Sequence, residues 1–384
     1  MMSGVVVTGI GLISAIGENL EASWQSLVAG KTGISLRQPF SELAPRPLAM
    51  IGTQPVELQA LTQLVVFSAL QDAGLAPQQP DCGVVIGSSR AYQATWEKMA
   101  PDVWNMGHEP NYKTQWGNNW LNSLPHMNAI SVARLIGTTG IVLAPMAACA
   151  TGIIALIQAA SLIQTGQCLR VITGAMEAPI TPMTINGFSQ MGALAKTGAY
   201  PFDKHREGLA LGEGAAVFVL ESEQLAKQRN ARIYGKVLGF ASTADAYHPN
   251  SPDPEGKMAT FTIKQCLQRS NLYPHDIEYI HAHGTATILN DEVESRIINH
   301  VFTHHPYVSS TKGATGHTIG ASGALGVAFL LLALKNQILP PCVGLRSTDF
   351  DLNLVTGAYV STIKRAMCLS FGFGGINAVI ALGS

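Results

Sequence analysis

Cys149 stands in Ala147-Ala148-Cys149-Ala150-Thr151-Gly152, a run of small residues leading into a stretch of helical period. At the first turn of a helix, unpaired backbone N–H groups and the positive end of the dipole favour a thiolate. Small neighbours let a substrate reach the sulfur, which makes Cys149 a candidate nucleophile; a small cysteine that merely packs is the plainer reading. A second segment, His281-Ala282-His283-Gly284-Thr285-Ala286-Thr287, follows the apolar run Ile277–Ile280. That order predicts a histidine and two hydroxyls at the C-terminal edge of a strand, where α/β folds keep their sites. Metal ligation by this His-x-His pair, with Asp291 or Glu292 nearby, lacks a third ligand at helical or hairpin spacing. Plain structural histidines are the other alternative.

A third segment, Ser309-Ser310-Thr311-Lys312-Gly313-Ala314-Thr315-Gly316-His317, places a lysine and a histidine around a glycine-rich bend. A solvated lysine and a capping histidine fit the same residues, but the segment is poor in other charges. The fourth, Phe371-Gly372-Phe373-Gly374-Gly375, suits either a flexible loop whose backbone N–H groups face a ligand or a plain tight turn. Near the N-terminus, Thr8-Gly9-Ile10-Gly11 follows a strand, but Ser14 stands where a dinucleotide fingerprint needs its third glycine. That reading is rejected.

The elements that must carry these residues are short β-branched runs alternating with longer helical ones. Val5-Val6-Val7 is a strand expected to end in a turn at Thr8–Gly11; Cys82–Gly87, Leu169–Gly174, Ala215–Leu220 and Ile277–His281 are further strands. Apolar strands separated by helices imply a sheet covered on both faces, the α/β class. Pro145–Gly166 and Gly313–Gln337 each hold a small-residue turn followed by a helix apolar on every side, which is the mark of a buried helix. The echo suggests an internal duplication. The polar stretch Glu221–Arg232 marks the boundary, dividing the chain into halves at 1–228 and 229–384. Asp245–Lys257 is a loop, and Tyr92–Asn119, with Trp96, Trp104, Tyr112 and Trp116, is expected to be an irregular aromatic insertion.

Twenty-four basic and 25 acidic residues leave a net charge of −1, which excludes a broadly basic nucleic-acid binder. Charged residues make up 13% of the 384, about half the usual share. So little charge points to a large apolar subunit interface. The six cysteines form no CxxC pair, as expected of free thiols in a reducing compartment. Met1–Gly17 lacks a cationic start and is broken by Gly9 and Gly11, so a signal peptide is not expected. The apolar run Ala324–Leu334 falls short of the ~20 residues that span a bilayer, and no membrane association is expected.

Together, Cys149, His283, Lys312, His317 and Phe371–Gly375, in this order, resemble the elongating β-ketoacyl-[acyl-carrier-protein] synthases. The resemblance extends over nearly the whole chain through Val6-Val7-Thr8-Gly9-Ile10-Gly11, Tyr200-Pro201-Phe202-Asp203, Arg206-Glu207-Gly208, Leu211-Gly212-Glu213-Gly214 and Asp245-Ala246-Tyr247-His248. It implies an α/β, thiolase-like fold: two duplicated βαβαβαββ halves in five layers, assembled as a homodimer or with a related subunit. It implies a cytoplasmic acyltransferase of fatty-acid or polyketide synthesis. Cys149 would take an acyl group from acyl carrier protein, and malonyl-carrier protein would lose CO₂ and attack it in a Claisen condensation. The N–H groups of Cys149 and Phe373 would form the oxyanion hole, His283 and His317 would donate to the enolate, and Lys312 would set the field around His317. Thr285 and Thr287 would bind the phosphopantetheine arm, and Phe373 would gate the acyl tunnel. No cofactor or metal is implied in the chemistry.

Carrier protein is acidic, so Arg206, Lys227, Arg229, Arg232 and Arg365 are candidate docking residues. The family also contains chain-length-factor subunits that lack the cysteine; Cys149 argues against that alternative. Against the family pattern, Gly326 replaces a glutamate nine residues after His317, Cys368 and Leu369 precede the Phe-Gly-Phe loop, and Gly87-Ser88-Ser89-Arg90 replaces a glycine-rich turn. The glutamate belongs to a network that holds a monovalent cation in some members, and no such site is expected here.

Overall fold

The computed structural model describes residues 3–105 and 120–384. The first half contributes strands β1 (Val5–Ser14), β2 (Gly83–Gly87), β3 (Val142–Leu143), β4 (Arg170–Glu177) and β5 (Gly214–Ser222). The second contributes β6 (Gly235–Ala244), β7 (Tyr279–His281), β8 (Tyr307–Ser309), β9 (Arg365–Gly372) and β10 (Ile376–Gly383). In space the first set runs β3-β2-β4-β5-β1 and the second β8-β7-β9-β10-β6. Numbered within its own half, each is 3-2-4-5-1, with parallel pairs on one side and antiparallel pairs on the other. The sets join where β1 meets β6 antiparallel, Val5 opposite Val237 and Val7 opposite Gly235.

Alternation along strands that are apolar throughout feeds separate cores. In β5, Ala215, Val217 and Val219 face helices α1 (Leu58–Asp72) and α2 (Met127–Ile136), while Ala216, Phe218 and Leu220 face the centre. The centre is filled by α3 (Thr151–Gln164) and α6 (Ser322–Asn336). In β9, Ala366 and Cys368 join the same central core, and Met367 and Leu369 face α4 (Lys257–Arg269) and α5 (Ile288–Val301). Helix, sheet, paired helices, sheet, helix: these are the five layers. Ile319–Asn336, apolar and long enough by composition to cross a membrane, is 89% buried in the central layer.

Two expectations change, and one open alternative is decided. β1 does not stop at Val7; it runs on to Ser14 through a bulge at Thr8. Its glycines serve close packing, since a Cβ on Gly9 would lie 2.4 Å from the Ala69 carbonyl oxygen of α1 and one on Gly11 2.1 Å from that of Val65. The aromatic segment begins with a helix, Gln93–Asn105, and Trp96 donates its indole N–H to the Ser123 carbonyl at 3.0 Å. The remainder of that insertion, including Tyr112 and Trp116, lies outside the described residues. Of the two readings of Phe371–Gly375 the structure has the tight turn, which joins β9 to β10 with Gly374 and Gly375 at φ +86° and +79°.

Candidate active site

Cys149 follows β3 in a single 3₁₀ turn, Ala148–Ala150, that leads directly into α3. The turn is strained, with Ala148 at φ +46°. Thr151 clamps it, its Oγ1 accepting the Ala147 N–H at 2.8 Å and donating to the Ala148 carbonyl at 2.7 Å. From β9, Ser370 donates to the Cys149 carbonyl at 2.9 Å. The sulfur is thus held at the helix N-terminus, as the small-residue run suggested, and is 1% exposed.

His283 comes from the segment after β7, and Lys312 and His317 from the segment after β8. Their rings lie 5.5 Å apart at 84°, and one ligand-type atom from each of Cys149, His283 and His317 lies within 4.8 Å of the others. A soft metal could use such a trio, but the protons stand in the way. His317 Nδ1 accepts the Ile319 N–H at 3.1 Å, so the ring proton sits on Nε2. That nitrogen is buried without a partner among the described residues. His283 Nδ1 faces the Lys312 ammonium at 3.4 Å, and the ammonium also donates to the His283 carbonyl. Both imidazoles therefore offer an N–H donor rather than a lone pair at Nε2.

The electrostatics agree. Burial, then the Lys312 charge, holds both histidines well below the ordinary histidine range. Burial pushes the Cys149 thiol up to about 11, opposed by the Phe373 N–H aimed at the sulfur and by the Lys312 and Arg90 charges. Burial likewise lowers Lys312. The site combines a thiol, a backbone donor beside it and two neutral imidazole donors, an arrangement that can acylate a thiol and stabilise a developing oxyanion or enolate.

Two carboxylates on α5 hold the His283 segment. Glu294 accepts the N–H groups of His283 at 2.6 Å and Gly284 at 2.7 Å. Asp291 accepts those of Thr285 at 3.0 Å, Ala286 at 3.2 Å and Phe202 at 2.8 Å. Sequence reasoning considered Asp291 only as a metal neighbour and missed Glu294; their i,i+3 spacing on one helix face was the available signal. Glu177, at the end of β4, was also missed. It accepts from Ser88 Oγ, from the Ser89, Arg90 and Gly320 N–H groups, all at 2.7–3.0 Å, which accounts for the altered turn after β2.

The space beside Gly326 is taken by His281, whose Nε2 lies 3.1 Å from Thr311 Oγ1 and whose Nδ1 lies 3.7 Å from Cys368 Sγ. An imidazole, a thiol and a hydroxyl do not suit a hard monovalent cation.

A cavity of about 350 Å³ leads to Cys149 between Thr285, Thr287 and Ile288 on one side and Phe371–Gly375 on the other. Thr285 and Thr287 hydroxyls are 2.8 Å apart. Phe373 stands between this cavity and an apolar cluster containing Ile180, Ile185 and Phe188, its ring 5.7 Å from that of Phe188. Among the candidate basic residues, Arg206 does not line the cavity but touches a residue that does, donating to the Ile288 carbonyl at 3.1 Å. Lys227, Arg229, Arg232 and Arg365 do not line the cavity; they pair with Glu223, Glu221, Asp72 and Asp276.

Residues 53–226 match the family model described as beta-ketoacyl synthase, N-terminal domain, and residues 234–346 match its C-terminal domain. The chain belongs to the β-ketoacyl synthase family. The synthase is 33% identical over 408 residues to the 3-oxoacyl-[acyl-carrier-protein] synthase 2 of Coxiella burnetii, covering 98% of each chain. With that of Staphylococcus aureus it shares 32% over 405 residues, 98% of this chain and 97% of the other. Among solved structures it resembles a chain from the complex of a type II polyketide acyl-carrier protein with its ketosynthase bound to the hexaketide, at TM-score 0.93 and 29% identity over 100% of both chains. The ishigamide ketosynthase/chain length factor follows at TM-score 0.90 and 26%, again over 100% of both. The fold is thiolase-like, and the synthase is an acyltransferase of the condensing type, catalysing decarboxylative Claisen condensation.

Proposed function

We propose that Cys149 carries the acyl group and that malonyl-acyl carrier protein supplies the two-carbon unit. The observation that carries this is the thiol at a helix N-terminus facing two neutral imidazole donors within 4.8 Å. In transacylation the sulfur attacks the acyl thioester; the new thioester forms and the thiol proton leaves with the pantetheine thiol. The N–H groups of Cys149 and Phe373 stabilise the tetrahedral oxyanion. In condensation, malonyl thioester loses CO₂, and its enolate oxygen receives the Nε2–H donors of His283 and His317. The enolate carbon attacks the acyl-cysteine carbonyl, and the sulfur leaves as a thiolate that takes up a proton.

Lys312 positions His283, and Thr285 and Thr287 bind the phosphopantetheine arm along the cavity. Phe373 gates passage from the cavity to the apolar cluster. Arg206, beside exposed Ile288 and Leu289, is the docking candidate for acidic carrier protein. We assign catalysis to two halves, 1–228 and 229–384. A dimer, with itself or a related subunit, is supported by the edge of β3, which has no further strand beside it among the described residues, and by exposed Leu143 and Met146. Six free, buried cysteines support a cytoplasmic location. The chemistry assigned here calls on protein groups alone.

The test is intact-mass analysis after incubation with acyl-carrier proteins, with Cys149→Ala alongside. An acyl adduct on the native chain and none on the variant is expected. Equal adducts on both would overturn the assignment.

A further inference from the structure

Arg90 is a charge the mechanism does not use. Its backbone N–H is fixed by Glu177 at 2.8 Å, and its guanidinium lies over the Phe188 ring, 5.6 Å from the centroid. Phe188 in turn packs on Phe373, and Phe188 and Cys149 belong to one apolar cluster against which Phe373 packs. Glu177 makes no ion pair with the guanidinium; two other donors already occupy each of its oxygens. Among the described residues Arg90 Nε is buried without a hydrogen-bond partner, and the side chain forms no ion pair. The guanidinium is near enough for its charge to act on the Cys149 sulfur.

Cys149 shares one apolar cluster with Ile180, Ile185 and Phe188, and an acyl chain on the sulfur that packs into that cluster has Phe188 as a wall. It then meets a cation lying on the face of that phenylalanine. A plain alkyl end would strip water from the guanidinium and return nothing, whereas an oxygen acceptor would complete its unused donors. We propose that Arg90 is a specificity-determining residue, selecting acyl groups with a hydrogen-bond-accepting oxygen, carboxylate or ketone, near their far end. This rests on Cys149 being the acyl carrier.

The test compares three carrier-protein donors of equal length: hexanoyl, ketohexanoyl and adipoyl. The acylation rate of Cys149 is read by intact mass in the native chain, in Arg90→Leu and, should that variant not fold, in Arg90→Gln. Because the readout is a ratio of donors within one preparation, loss of folded protein does not move it. The native chain is expected to favour an oxygenated donor over hexanoyl by on the order of tenfold or more, the scale of one charge-assisted hydrogen bond. Removal of the guanidinium is expected to erase that ratio. A preference for adipoyl alone assigns a carboxylate; a preference shared by the ketone assigns a neutral oxygen. Adducts with all donors at a ratio near one, a preference for hexanoyl, or a ratio unmoved by the variants overturns the role of Arg90. No adduct from any donor overturns the acyl-carrier reading itself, and this inference with it.

Discussion

Ala148 and Ile319 hold the same strained backbone, φ +46° and +42°, each one residue into the turn that opens a central helix. Counting from each, the next residue is Cys149 in one half and Gly320 in the other. Gly152 then packs on Ala324, and Gly323 on Ile153: Cβ atoms would lie 2.5 Å from the Ala324 nitrogen and 2.9 Å from Ile153 Cγ1. The duplication therefore extends to single residues. The first copy became the nucleophile turn; in the second, the space a side chain would need is filled by Glu177, 2.4 Å from a Cβ on Gly320.

Left-handed backbone costs a non-glycine residue ~1–2 kcal/mol, whereas glycine adds ~0.5–1 kcal/mol of unfolded-state freedom. Ala148→Gly is therefore expected to raise stability by up to about 1 kcal/mol while loosening the sulfur and slowing acylation several-fold. Urea unfolding and single-turnover acylation of the same preparation measure both. Lower stability with unchanged acylation would contradict this account of the strain.

His281 and position 326 compete for one volume. A Cβ on Gly326 would lie 2.7 Å from His281 Cε1 and 2.8 Å from Nδ1. Gly326→Ala is expected to cost about 1–3 kcal/mol by overpacking. Combining it with His281→Ala should cost less than the sum of the two single changes, by ~0.5 kcal/mol or more. Four denaturation curves close the cycle; strict additivity would show that the two do not share space.

His283 and His317 are expected to stay neutral through the range where histidines normally gain a proton. Their ring resonances, identified by loss in His283→Asn and His317→Asn, should not titrate from pH 8 to 6. Because the Lys312 charge lowers both, Lys312→Met should move their protonation upward. An ordinary titration curve for either histidine in the native chain would remove the two-donor picture.

Glu177→Gln replaces an acceptor-only group with one that presents an NH₂ to backbone donors. Glutamine keeps one acceptor oxygen, so either the Ser89 and Gly320 N–H groups or the Arg90 N–H and the Ser88 hydroxyl lose their acceptor in a buried site, and the expected loss is about 2 kcal/mol or more. Burial already pushes the Glu177 carboxyl above its ordinary range. A thermally unchanged variant would mean that these bonds contribute little net stability.

The chemistry-bearing residue types and their neighbourhoods were legible from the chain because each sits in a locally self-sufficient pattern. Small residues before a helix mark Cys149, and glycine-rich bends after strands mark His283, Lys312 and His317. The apolar helices announced a buried central layer by composition alone. What lay beyond local pattern depended on atoms distant in sequence. Gly9 and Gly11 look like a turn until α1 packs against them. His281 looks like half of a metal pair until it fills the gap beside Gly326. Asp291, Glu294 and Glu177 look like ordinary charges until the fold turns them onto the backbone N–H groups of the site loops. Lys227, Arg229, Arg232 and Arg365 are basic in any reading, but only tertiary contacts pair them with carboxylates away from the cavity. Local sequence determines which groups can act; packing in three dimensions decides which of them are desolvated, paired and aimed.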